Sequence, residues 1–162
     1  MNGAYADPKR STLSRAGASN GDAPICKELA VIPGGLKPDG NAGTTPLAES
    51  IRTGNWSVAK RLIDCGCRPT QLWEAAGMGM RFEVLEFFPD WARPEQDQID
   101  AAFWHACRGG RVVVAIFLFD QGADVNRVPA WAPLTPLDAA YLGGRGELID
   151  WLSAHGATSC GG

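Results

Sequence analysis

The sequence predicts an all-α fold: a solenoid of helix-turn-helix units joined by short β-turn or hairpin fingers. Two observations carry this. Thr45-Pro46-Leu47 is followed by Gly54 and Gly66, and Thr135-Pro136-Leu137 by Gly144 and Gly156, with identical Thr-to-Gly distances in the two copies. In addition, the step from Gly110 to Gly144 equals the step from Gly122 to Gly156. A motif recurring at such a period is one supersecondary unit stacked on copies of itself. A stack of this kind presents a surface, so its default function is binding.

Residues 1–43 are rich in Gly, Ser, Asn, Ala and Pro and show neither helical nor strand period, which reads as a mostly disordered N-terminal tail. Within it, Ile25 to Ile32 is apolar enough to dock on the first unit, or it stays loose. Repeat units then fit near 44–69, 70–100, 101–133 and 134–158, with a flexible end at 159–162.

Each motif residue has a physical task. Thr45 and Thr135 are placed to cap a helix through their hydroxyls, and Pro46 and Pro136 follow at the first helical position, where no N–H is needed. Ala75-Ala76, Ala106-Cys107 and Ala139-Ala140 are small and let helices approach. Gly54, Gly110 and Gly144 are placed to end first helices in the left-handed region, and Gly66, Gly122 and Gly156 to end second helices. The second helices carry apolar stripes: Val58, Leu62 and Ile63; Val114, Leu118 and Phe119; Leu148, Ile149 and Leu152. No single unit buries such a stripe, whereas stacking does.

The second unit departs most. Thr70-Gln71-Leu72 lacks the proline, and with Gly79 as its helix-ending glycine Glu83 falls in an apolar slot. Only Arg68-Pro69 separates Cys67 from Thr70, so a tight turn is expected there. The missing length is expected between Pro89 and Asp100, where two prolines bar a continuous helix and Asp97 and Asp100 read as a solvated helix start.

Thr135-Pro136-Leu137-Asp138-Ala139-Ala140 and Gly122-Ala123-Asp124-Val125-Asn126 resemble the T-P-L-H-x-A-A and G-A-D-V-N signatures of ankyrin repeats, over about residues 44–158. That resemblance implies a small protein of about four repeats, non-catalytic, binding a partner protein on the concave face of fingers and first helices as an adaptor or scaffold. An inhibitor or immunity-type protein blocking an enzyme would use the same surface.

Composition narrows the classes. No apolar run approaches a membrane span, and no continuous apolar segment follows Lys9, Arg10 and Arg15, so no secretory signal is read and a cytoplasmic, membrane-free monomer is expected. Residues 1–43 hold four acids and five Lys/Arg, and the remainder 14 acids and ten Lys/Arg. An acidic solenoid is a poor partner for nucleic acid, which needs clustered cations. Five cysteines are an odd count without disulfide-framework spacing. Cys65-Gly66-Cys67 is the one pair that invites a thiol- or metal-dependent reading, but His105 and His155 are isolated and Cys67 stands in the Ala slot held by Ala123 and Ala157. No metal, cofactor or catalytic residue is expected, since no nucleophile elbow, H-E-x-x-H or P-loop pattern occurs.

Six tryptophans are the more telling feature. Trp73 and Trp104 occupy the slot after the turn leucine or its stand-in, either filling the groove between first helices or facing a partner. Trp131 sits in the longest finger, stiffened by Pro129 and Pro133, with Arg127 at its base. Because Trp and Arg dominate interface hot spots, Trp73, Trp104, Arg127 and Trp131 are the expected partner-binding residues.

Overall fold

A computed structural model describes residues 45–161. The tail at 1–43, and with it the expected docking of residues 25–32, lies outside the described residues. The chain divides into two compact units, the first ending at Arg68 and the second beginning at Pro69.

In the first unit, α1 (Pro46–Arg52) and α2 (Trp56–Asp64) form a helix pair. Thr45 caps α1 as its position requires: its Oγ1 accepts from the Ala48 N–H at 3.1 Å. Gly54 and Gly66, with φ of 78° and 99°, occupy the left-handed region that ends each helix. Leu47, Ile51, Ala59 and Leu62 are buried.

The second unit holds three pairs: α3 (Leu72–Met78) with α4 (Arg81–Glu86), α5 (Gln96–Arg108) with α6 (Val112–Asp120), and α7 (Pro136–Gly143) with α8 (Gly146–Ala154). The first helices α3, α5 and α7 lie side by side, with α5 in the middle. One core runs through the stack, from Leu72, Ala75 and Val84 through Ile99, Phe103, Ala106 and Leu118 to Leu148 and Leu152. Burying a side chain of this size contributes about 1.5–3 kcal/mol. Among the described residues there is no strand; the long finger after α6 is built from turns, with Ala132 N–H donating to Pro129 O at 3.2 Å.

The second unit's irregularities have physical reasons. Gly79 does end α3 in the left-handed region, at φ 76°, and Glu83 accordingly stands half-buried in a slot that Val114 and Leu148 fill elsewhere, leaving Val84 to seal the core. A capping box replaces the missing proline: the buried Glu74 carboxylate accepts from the Thr70 N–H at 2.6 Å and the Gln71 N–H at 3.2 Å. The connection from α2 to α3 covers only residues 65–71 and contains no hairpin. In the third pair of the chain, α5 begins at Gln96, close to the helix start expected at Asp97 and Asp100. A Glu95–Gln98 capping box starts it; Asp97 stands in its exposed first turn as a solvated helix start should, whereas Asp100 is buried instead of solvated.

Thr135 caps α7 by exchange with Asp138: its buried hydroxyl accepts from the Asp138 N–H at 3.2 Å and donates to Asp138 Oδ2 at 2.9 Å. Asp138 also accepts from the Ser159 hydroxyl and, at 2.9 Å, from the Cys160 N–H. Burial works to raise its carboxyl, but these bonds together outweigh it and bring the pKa down to about 2. Thr135→Ala is expected to cost about 1–2 kcal/mol by urea denaturation; an unchanged midpoint would show that Pro136 alone sets the helix start.

Candidate functional site

The long finger, residues 121–134, is tied down along its length. At its start, the Asp124 N–H donates to Asp100 Oδ1 at 2.9 Å. Asn126 reaches the following connection, donating from Nδ2 to Gly156 O at 3.1 Å and accepting from the Thr158 N–H at 2.7 Å. Arg127 pairs with Asp97 at 2.6 Å and lies 3.8 Å from Asp100 Oδ2, a buried oxygen with no hydrogen-bond partner among the described residues. At the far end, Trp104 Nε1 donates to Leu134 O at 2.9 Å.

These ties engage two of the four residues expected to meet a partner. Arg127 directs its fork at the first turn of α5 within its own chain, so it holds the finger in place. Trp104 is 2% exposed, fills the space between α5 and the finger, and stacks under the Arg108 guanidinium, whose carbon is 5.7 Å from the indole centroid.

Trp131 and Trp73 remain accessible. Trp131 is 55% exposed and Pro129, behind it, is buried. Between the two tryptophans stands His105, a residue whose sequence context gives no hint of a role. Its ring centroid lies 4.7 Å from Trp73, 5.0 Å edge-on from Trp104 and 6.3 Å from Trp131, nearly parallel to the last. His105 is 4% exposed, and its Nδ1 has no hydrogen-bond partner among the described residues. Burial, and secondarily the Arg108 charge, pushes its pKa down to about 3, so the imidazole is neutral at ordinary pH and presents an uncharged aromatic plane. Nothing in the local pattern signals this, because Trp131 arrives from the far side of α6, on the finger that follows it.

Beside Trp73 opens a cleft of about 340 Å³, lined by Leu72, Phe87, Pro89, Pro94, Arg93 and Gln98. It occupies the place where the connection from α4 to α5 runs without a projecting finger. Its walls are mainly apolar, with the carboxamides of Gln71 and Gln98, the Glu86 carboxylate and the Arg93 guanidinium at hand, an apolar pocket with a few polar groups that could orient a bound side chain.

Among the described residues the cysteines form no comparable cluster. Cys67 is disulfide-bonded, and a bonded sulfur supplies no thiolate. Cys65 is a half-buried thiol, and burial raises the Cys107 pKa well above the ordinary thiol value. Among the described residues no three His, Cys, Asp or Glu side chains gather as a metal site requires, and no helix is long and apolar enough to cross a membrane.

No protein-family model matches the sequence, and no curated protein matches it. Among solved structures the chain is similar to the human ASB11 ankyrin repeat domain, at 19% identity and a TM-score of 0.48, over 84% of this chain and 70% of that one.

Proposed function

We propose that the protein is a non-catalytic protein-binding module whose partner is read by the face formed by α3, α5 and the long finger. The observation that carries this reading is Trp131: a large aromatic, more than half exposed, on a finger fastened at both ends and backed by a buried proline. Holding such a group in place before binding removes the ordering cost that weakens flexible contacts. An indole adds a broad apolar face with one N–H donor. Trp73 and the adjoining cleft extend the face, with His105 as the neutral plane between the two indoles. Arg127 and Trp104 act by fixing the finger.

A photo-crosslinking side chain at position 131, compared with one at exposed Val113 on α6, tests the face. Crosslinks to one protein from position 131 alone support it, and crosslinks from 113 alone overturn it. With that partner purified, Trp131→Ala is expected to weaken binding by about 2 kcal/mol, roughly 30-fold, with an unchanged unfolding midpoint. Equal binding, or an unfolded variant, would show that the indole serves packing.

A further inference from the structure

The second unit contains six arginines, no lysine and twelve acids, yet three of the arginines gather on the edge where first helices turn into second helices. Arg111 directly precedes α6, and Arg145, one repeat further on, directly precedes α8. Both occupy the N-cap position, where a Ser, Asp or Asn is the stabilising choice and a cation opposes the helix dipole. Neither makes a side-chain cap hydrogen bond. Helix stability does not account for arginine here.

The geometry holds the two side chains in one pattern. The Arg111 stem lies across the left-handed Gly79 of the preceding pair, where an added Cβ would stand 2.8 Å from Arg111 Cδ, and its Nε donates to Gly77 O at 3.1 Å. The Arg145 stem lies across Gly110 in the same way. Each glycine is thus a trough for the arginine of the next repeat. Arg108, at the end of α5, adds a third guanidinium fixed over Trp104. Arg111 feels Arg145 directly: burial first, then that like charge, lowers its pKa. Among the described residues no acidic side chain forms an ion pair with the exposed Arg145.

We propose that this edge, distinct from the Trp131 face, docks an extended acidic segment of a partner protein, its carboxylates spaced to meet successive arginines. Packed helices stand about 8–10 Å apart, and one turn of extended polyproline II chain, three residues at about 3.1 Å each, spans that distance with side chains i and i+3 on the same face. Acids at i, i+3 therefore match the Arg111–Arg145 step, and guanidinium forks suit carboxylates bidentately.

The probe is a fluorescein-labelled Glu-Gly-Ser-Glu-Gly-Ser-Glu peptide, titrated by anisotropy at about 50 mM salt, where exposed charges are weakly screened. The expected result is binding at least 10-fold tighter than that of the peptide with Gln for Glu. Arg145→Glu should abolish it, and Arg111→Gln with Arg145→Gln should lower it by 10-fold or more. Arg145 is exposed, so its variants keep the test open if Arg111→Gln fails to fold. Trp131→Ala should bind the peptide as wild type does. Equal binding of the Gln peptide, full binding by Arg145→Glu, loss with Trp131→Ala, or tighter binding of a short oligothymidylate through the same arginines would each overturn the proposal.

Discussion

Gly109→Ala is expected to destabilise the protein by about 2–3 kcal/mol, a large loss for one methyl group. Gly109 has φ −77°, so alanine suffers no backbone strain there. The cost arises because its Cβ would overlap the Gly77 carbonyl oxygen of α3. Backbone cannot rotate away as a side chain can, so α3 and α5 must separate. Ala75, Ala76 and Ala106, all fully buried between the helices, would then lose contact, and overpacking of this kind costs about 1–3 kcal/mol. Gly143→Ala meets the Arg108 carbonyl oxygen at 2.6 Å and should behave similarly between α5 and α7. Gly146, with nothing within 4 Å of its Cβ position, is the control, and its alanine variant should be neutral or slightly stabilising. Urea denaturation at pH 7 reads all three. A Gly109→Ala protein within about 0.5 kcal/mol of wild type, the scatter of neutral surface changes, would mean that the first helices are not in backbone contact.

Acid sensitivity centred on His105 is the second large effect. Unfolded, the imidazole takes up a proton near its ordinary value of 6.5; folded, it does so only near 3. Protons therefore favour the unfolded chain throughout that interval. Its contribution is complete above about pH 6.5 and declines as the pH falls toward 3, by about 3 kcal/mol at pH 4. Asp138 also has a depressed pKa, about 2 against an ordinary 3.8, but its share is lost mainly below about pH 4, so the fall between pH 7 and 4 reports His105. His105→Phe keeps an aromatic plane between Trp73 and Trp131 and removes the titration. Unfolding free energies at pH 7, 5.5 and 4 should fall steeply for wild type and much less for the variant. Parallel curves would place the proton elsewhere.

These two effects differ in how far the sequence announces them. Repeats are local, and their parts are recognisable by chemistry alone: a threonine before proline caps a helix, and a glycine at a fixed distance ends one. Hence Thr45, Thr135, Gly54, Gly110 and Gly144 were legible, as were the apolar stripes of the second helices. The burial of Asp100 was not, because it depends on Asp124 and Arg127 of the following finger closing over the start of α5.

Site roles depended still more on distant chain. Arg127 and Trp131 both looked like hot-spot residues, being exposed types on a proline-stiffened finger. Only the fold brings Asp97 of α5 beside the finger to take the Arg127 guanidinium, and only the fold seats Trp104 beneath Leu134, removing it from the surface. His105 gains its place between two indoles in the same manner. By itself the sequence determined the helix pairs, their ends, their period and the excess of tryptophan, because capping, left-handed glycine and apolar spacing act within one or two turns of chain. Tertiary structure alone decided which tryptophans face solvent, which arginines are occupied and which glycines admit a neighbouring carbonyl, because those depend on the approach of groups about a full repeat apart.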